Sequence, residues 1–191
     1  SQLARKQVDI FKSSFSKKFI KEKNIEFSLK FLETSGDKFL EGKLSQIGNK
    51  GLFTKEIDKA QLNGDIDLSI HSLKDLPYKL PKGLIIGAYL KRADVRDALV
   101  SKKGIKLYDL KKNAIIGTSS VRREAQLRQI SSDFQFLNIR GNIETRIKKV
   151  KEGKYDATLL AMAGLKRLNI KKGFNALNIN EFTPAVGQGT I

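Results

Sequence analysis

The sequence predicts an α/β fold in which mainly parallel sheets carry helices on both faces. Short apolar runs alternate with amphipathic segments along the chain. The polar motifs fall where a predicted strand leads into a predicted helix, which is where sheets of this kind bind ligands. No apolar run approaches the roughly 20 residues that a membrane helix needs. A chain of 191 residues suffices for one large or two small domains.

The first half of the chain contains two predicted helices and three predicted strands. Apolar residues recur at helical spacing and predict an amphipathic helix over about residues 3–21. Alternating or continuous apolar runs predict strands over residues 26–32, 65–70 and 84–90. The spacing of Phe53, Ile57 and Ala60 predicts a short helix, with Thr54 as its possible cap. The charged segment 92–97 predicts a crossing between two lobes.

The second half repeats the alternation of strands and helices. Apolar runs predict strands over residues 114–117, 134–139 and 155–162. Residues 118–120, Thr-Ser-Ser, can cap a helix that continues to about Ile130. Gly141 and Asn142 open another helix, which ends near Gly153.

The chain is strongly basic, with a net charge of +17. A lysine-rich surface without function and a site for an anionic partner both explain such an excess. Arginine favours an anion site, because its planar fork binds a carboxylate or phosphate at two points. All arginines except Arg5 lie in the second half: Arg92, Arg96, Arg122, Arg123, Arg128, Arg140, Arg146 and Arg167. The chain has no cysteine and one histidine, so it offers neither a thiolate nor a His-rich metal site.

One candidate anion site is the segment 117–123, Gly-Thr-Ser-Ser-Val-Arg-Arg, which follows a strand and opens a helix. Hydroxyl groups, free backbone N–H groups and the adjacent Arg122 and Arg123 can bind an anion there. An ordinary capped helix with exposed arginines is the alternative interpretation.

A second candidate anion site is the segment 138–146. Arg140 precedes a predicted helix, Gly141 permits a tight turn, and Arg146 lies about one turn inside the helix. The two arginines can therefore converge on one ligand rich in carboxylates.

The segment 71–77 contains the candidate catalytic residue, Asp75. It follows a predicted strand and precedes Pro77, which fixes the turn. A carboxylate held there can stabilise a cation or move a proton, and Lys74 can neutralise an acidic substrate. An ordinary turn or capping aspartate is the alternative.

Seven segments in order resemble the signatures of the porphobilinogen deaminase family: residues 48–56, 67–77, 92–100, 116–127, 139–146, 155–168 and 184–189. The resemblance implies two lobes of mainly parallel sheet flanked by helices, similar to periplasmic binding proteins, with a cleft between them. It implies lobe 1 over residues 1–91, lobe 2 over 92–184 and the start of a return to lobe 1 over 185–191.

The resemblance also implies a function. The family couples four porphobilinogen molecules into hydroxymethylbilane and releases ammonia each time, starting from a dipyrromethane cofactor joined to a cysteine of a third domain. Asp75 is then the catalytic carboxylate, and no metal is implied. It is expected to be a buried acid that shares one cavity with Arg122, Arg123, Arg140 and Arg146. The residues implied in binding substrate and cofactor are Ser1, Lys50, Phe53, Ser72, Lys74, Arg96, Thr118, Ser119, Arg122, Arg123, Arg140, Gly141, Arg146, Arg167 and Gln188.

The chain departs from the family at both ends. The first strand and the third domain of the family have no counterpart in it. We therefore expect a fragment that cannot carry the covalent cofactor and that lacks turnover alone. We expect the protein to act on porphobilinogen in the cytoplasm as a monomer, without nucleic-acid or membrane partners.

Two other functions fit parts of the sequence. Two lobes around an anion site also suit a non-catalytic protein that binds small anions. The pI of about 10.0 suggests a nucleic-acid-binding module. Against this second function, aromatic residues such as Phe11 and Phe15 follow the periodicity of a core rather than that of an exposed basic face.

Overall fold

The computed structural model describes residues 1–19, 25–38 and 53–191. Its centre is a five-stranded sheet of β1 (Asp97–Ser101), β2 (Ile115–Gly117), β3 (Gln135–Leu137), β4 (Ala157–Ala161) and β5 (Phe174–Ala176) in the order β3-β2-β4-β1-β5. Strand β2 pairs in parallel with β3 and β4, whereas β1 is antiparallel to both β4 and β5. Four strands thus point one way, which confirms the predicted α/β fold with a mainly parallel sheet.

Six α-helices are seen in the described residues: α1 (Gln2–Lys18), α2 (Ser35–Lys38), α3 (Lys55–Leu62), α4 (Val121–Ile130), α5 (Ile143–Lys151) and α6 (Met162–Arg167). Of these, α1, α3, α4 and α5 lie where the sequence predicts helices. The described residues contain no helix that is both long and apolar enough to cross a membrane.

The three strands predicted in the first half are not formed: the described residues before Asp97 contain no strand. Several apolar side chains of the predicted segments 26–32, 65–70 and 84–90 remain open to solvent. Leu68 is 50% and Ile85 is 85% exposed. Alternating apolar residues predict which face a strand would bury, but a strand forms only where another strand pairs with its backbone.

The central strands β1 and β4 are buried on both faces, which accounts for their continuous apolar runs. Neighbouring residues of β1 point to opposite sides. Leu99 packs in a cluster with Leu159 of β4 and with Phe182. Ala98, with its neighbours on the other face, packs beneath Leu165 of α6. Strand β1 was missed from the sequence, because its first residue is charged and was assigned to the crossing segment.

Polar caps fix the starts of α4 and α5 at the edge where the parallel strands end. The Ser120 hydroxyl accepts a hydrogen bond from the Arg123 N–H at 3.4 Å. The Asn142 side-chain oxygen accepts from both the N–H and the hydroxyl of Thr145, each at 2.8 Å. Each cap satisfies a backbone group that the helix itself leaves free and orients the arginines of its first turns.

Replacing Asn142 with alanine is expected to lower the free energy of unfolding by about 1 kcal/mol, because α5 loses its capping oxygen. Urea unfolding followed by circular dichroism measures this loss. The matched control is Asn180→Ala, at an exposed loop position. Equal unfolding midpoints for the two variants would show that the cap does not stabilise α5.

Candidate active site

A cavity of about 380 Å³ opens at the edge of the sheet where β2, β3 and β4 end. Its size suits a small organic ligand. Ten of the residues predicted from the sequence line it: Ser1, Phe53, Ser72, Lys74, Asp75, Arg123, Arg140, Gly141, Arg146 and Arg167. The structure thus brings together residues from both halves of the chain.

Asp75 lies on a short 3-10 turn, Leu73–Asp75, that is held from several sides. The Asp75 N–H donates to the Ser72 carbonyl at 2.9 Å, and the Leu73 N–H donates to the Thr190 carbonyl at 3.0 Å. The Ser72 hydroxyl accepts a hydrogen bond from the Gln7 side chain at 2.7 Å. These bonds join the turn to α1 and to the last residues of the chain, so the backbone that carries Asp75 is anchored at the cavity.

The expectation that Asp75 is buried was wrong: its side chain is exposed to the cavity. The surrounding protein still removes much of its water and thereby raises the pKa of the Asp75 carboxyl, against the opposing charges of Lys74, His71 and Arg123. The same desolvation lowers the pKa of the Lys74 ammonium, and the charge of Arg123 adds to that effect.

Two arginines offer unpaired donors to the cavity. The Arg140 side chain is 9% exposed, and its Nε and Nη2 atoms are buried without a hydrogen-bond partner in the described residues. Arg146 donates from Nε to the Gly141 carbonyl at 2.8 Å. Burial, together with the charges of Arg123 and Arg140, lowers the pKa of Arg146 to about 10, so it stays cationic at neutral pH. Neither Arg140 nor Arg146 forms a salt bridge with an acid in the described part of the chain. Such a cluster favours an anionic ligand.

Arg123 reaches the cavity while bound to a carboxylate that the sequence did not single out. Its Nη2 donates to Asp97 Oδ1 at 2.7 Å, and its Nη1 donates to the Leu159 carbonyl at 2.8 Å. Asp97 is fully buried. The signal that could have revealed it is a charge directly before the apolar residues 98–100, since a buried charge requires partners.

Five predicted site residues do not line the cavity: Arg96, Arg122, Thr118, Ser119 and Gln188. Arg96 pairs with Asp94 at 2.8 Å on another surface. The Ser119 hydroxyl donates to the Ile139 carbonyl, and the Thr118 hydroxyl accepts from the Ser120 N–H of its own segment. Arg122 and Gln188 both contact Asp97. None of these five residues lines the cavity, and their role in binding a ligand stays a prediction. Lys50 lies outside the described residues.

Two of the polar or charged side chains that line the cavity were not predicted from the sequence as site residues. Asn142 and Glu144 enter the lining because they stand at the cap and in the first turn of α5. Glu144 adds one carboxylate to a largely cationic wall. Guanidinium groups around the ligand space can hold carboxylates, and Asp75 can face a positive charge or a proton on the bound molecule.

Comparison with known proteins shows which family this chain belongs to. The family model described as "Porphobilinogen deaminase, dipyromethane cofactor binding domain" matches residues 1–191. The porphobilinogen deaminase of Chlorobium luteolum is 46% identical over all of this chain and 60% of its own length. Those of Syntrophomonas wolfei and Bacillus pumilus are each 50% identical, over 88% and 86% of this chain and 55% and 54% of their own lengths. The chain therefore spans a little over half the length of these relatives. It belongs, as the motifs indicated, to the porphobilinogen deaminase family.

Proposed function

We propose that this chain is the pyrrole-binding part of a porphobilinogen deaminase, which condenses four porphobilinogen molecules into hydroxymethylbilane with release of ammonia. One observation carries the proposal: Asp75 and the guanidinium groups of Arg123, Arg140 and Arg146 line one cavity. A catalyst that joins polycarboxylated pyrroles needs cations for the side chains and an anion for the positive charge of the reaction.

The arginines bind the carboxylates of the pyrroles. Each pyrrole carries two, and a guanidinium group can hold a carboxylate through two parallel hydrogen bonds. Arg140 has two buried donors free for this purpose. Pairing them with a carboxylate removes the cost of leaving buried donors unsatisfied, so the binding energy is concentrated at this residue.

Asp75 acts on the reacting ring. Its carboxylate accepts a hydrogen bond from the pyrrole N–H and faces the positive charge that develops when ammonia leaves the substrate. Lys74, the adjacent residue on the same turn, also lines the cavity and balances the acidic groups of the substrate. The anchored turn keeps the Asp75 backbone in place at the cavity, which limits the reorganisation needed during the reaction.

The residues also fit the dipyrromethane that the family binds. The buried unpaired atoms of Arg140, with Arg123, Arg146 and Lys74 on the same wall, match a group with several carboxylates. When bound, that group supplies the pyrrole carbon to which the first substrate is joined. The chain has no cysteine, so a thioether to this group would come from a residue outside these 191. We therefore propose that this chain alone lacks turnover.

Binding of a dipyrromethane with acetate and propionate side chains tests the proposal on the chain itself. Isothermal titration is expected to give binding that weakens with salt. Arg140→Gln should weaken it about tenfold or more, because a charge-assisted pair is lost. The matched control is Arg128→Gln, since Arg128 is exposed and pairs with Glu124 away from the cavity. No binding by the wild-type chain, or equal loss in both variants, contradicts the proposal.

Cellular location and oligomeric state complete the proposal. The lack of cysteine within this chain favours a reducing compartment, so we place the protein in the cytoplasm. We propose that it acts as a monomer on a small-molecule substrate, without nucleic-acid or membrane partners. Light scattering coupled to gel filtration tests the oligomeric state.

A further inference from the structure

Asp97 is a fully buried carboxylate whose hydrogen-bond partners meet from distant parts of the chain. Its Oδ2 accepts from Arg122 Nη2 at 2.6 Å, and its Oδ1 accepts from Arg123 Nη2 at 2.7 Å and from Gln188 Nε2 at 3.1 Å. A buried charge without partners is strongly destabilising. Burial alone would raise the pKa of Asp97, but the two guanidinium groups lower it below its ordinary value, so it stays ionised.

The position of Asp97 follows from the sheet. Strand β1 runs against its neighbours, so its first residue lies at the edge where the parallel strands end, opposite Ala161 of β4. Ala161 itself lines the cavity. Because β1 is antiparallel to β4, its first residue, Asp97, lies directly behind the residues that line the cavity.

Asp97 joins two guanidinium groups that helix geometry would separate. Arg122 and Arg123 are consecutive in the first turn of α4, so their side chains leave the helix about 100° apart. A shared acceptor brings both ends together. Of these two arginines, only Arg123 lines the cavity. Its Nη1 donates a hydrogen bond to the Leu159 carbonyl. Arg122 instead donates a hydrogen bond from Nη1 to the Thr183 carbonyl.

Asp97 also sets the charge next to Lys74. It neutralises one of the two positive charges of Arg122 and Arg123. Burial and the charges of both arginines lower the pKa of Lys74, whereas the charges of Asp75 and Asp97 raise it. Without Asp97, Lys74 would lose its proton at a lower pH.

The backbone anchors this network. Gln188 donates to the Val95 carbonyl at 2.7 Å as well as to Asp97. The two segments that carry these residues run side by side, since the Ala93 N–H donates to the Gly189 carbonyl at 3.0 Å. The guanidinium groups of Arg122 and Arg123 are thus held by the segments that carry Asp97 and Gln188 as well as by α4.

From this geometry we infer that Asp97 is a positioning residue, which fixes the orientation of Arg123 and the net charge of the cavity wall for binding carboxylated pyrroles. The inference rests on the proposed function. Asp97 does not itself line the cavity and acts through Arg122 and Arg123. The Asp97 carboxylate orients the Arg123 guanidinium, and the Arg123 guanidinium binds the ligand.

The test is Asp97→Asn, which keeps the shape but replaces one acceptor oxygen with a donor. One guanidinium then faces an N–H group and turns away. Loss of a group that orients ligand-binding side chains costs roughly 10–100-fold at metal sites, and we expect a loss of at least about tenfold in affinity for the carboxylated dipyrromethane. The loss of binding at high pH should also begin at a lower pH, because Lys74 deprotonates earlier.

The matched control is Asp94→Asn, since Asp94 also pairs with two cations, Arg96 and Lys166, but lies outside the cavity lining. It should keep wild-type affinity and pH dependence. A second variant, Arg122→Lys, keeps the charge but loses the fork. Because Arg122 does not line the cavity, a smaller affinity loss in this variant reports positioning through Asp97.

The outcomes separate this inference from the proposed function. If the wild-type chain does not bind the dipyrromethane, the proposed function fails. If the wild type binds, and Asp97→Asn binds equally with an unchanged pH profile, the inference fails alone. A variant that melts earlier but binds normally at a temperature where it is folded gives Asp97 a merely structural role and overturns the inference. If Asp97→Asn does not fold, unchanged affinity in Arg122→Lys overturns it instead.

Discussion

Asp75→Asn is expected to lower the rate of hydroxymethylbilane formation by roughly 10²–10⁴-fold, the usual loss for a group that stabilises charge or moves a proton in the transition state. Asparagine keeps the shape of the side chain but cannot face a cation with a negative charge. Binding of a carboxylated dipyrromethane should change little, because the arginines carry it. Initial rates in the full-length enzyme and titration of this chain measure the two effects separately.

The pH dependence adds a second readout for Asp75. Desolvation by the surrounding protein raises the pKa of the Asp75 carboxyl above its ordinary value. In the proposed mechanism the ionised form is the active one, so we expect the rate to be highest above that raised pKa and to fall as the pH drops through it. The Asn variant should lack this acidic limb.

Asp65→Asn is the matched control for Asp75, because Asp65 is an exposed acid in the same half of the chain. It should retain the wild-type rate and profile. A fall in binding as large as the fall in rate would assign Asp75 to holding the ligand rather than to catalysis. A rate within a few-fold of wild type would remove it from both roles.

The sequence predicted the site better than the fold of the first half. Motifs at the ends of predicted strands converge, because the carboxyl ends of parallel strands share one edge. That rule and the family resemblance predicted one cavity for Arg122, Arg123, Arg140 and Arg146, and all of these except Arg122 line it. Whether Arg122 or Arg123 faces the cavity was not predictable, since neighbouring helical residues differ only in the rotation of the helix.

Long-range pairing accounts for what the sequence did not predict. Strand β1 begins with Asp97, whose charge becomes acceptable only through arginines some 25 positions later. A pattern of neighbouring residues cannot reveal such a partner. Similarly, the alternation at 26–32 carries no information on which strand would pair with it, and no strand forms there.

Phe182→Ala is expected to lower the free energy of unfolding by about 3–5 kcal/mol, the usual range for removing a buried aromatic ring. Phe182 is 1% exposed and packs in the cluster with Leu99 and Leu159. Its backbone precedes Thr183, whose carbonyl accepts from Arg122. The loss therefore opens a void beneath the sheet and loosens the segment that holds one end of the arginine network.

Phe31→Ala removes the same ring from a position that is 50% exposed, where the Arg5 guanidinium stacks on it at 4.4 Å. The expected loss is about 1 kcal/mol, from partial burial and this cation–π contact. Urea unfolding of both variants measures the difference. Because water already reaches Phe31, a loss there equal to that of Phe182 would mean that the cluster under the central sheet does not dominate the stability of the chain.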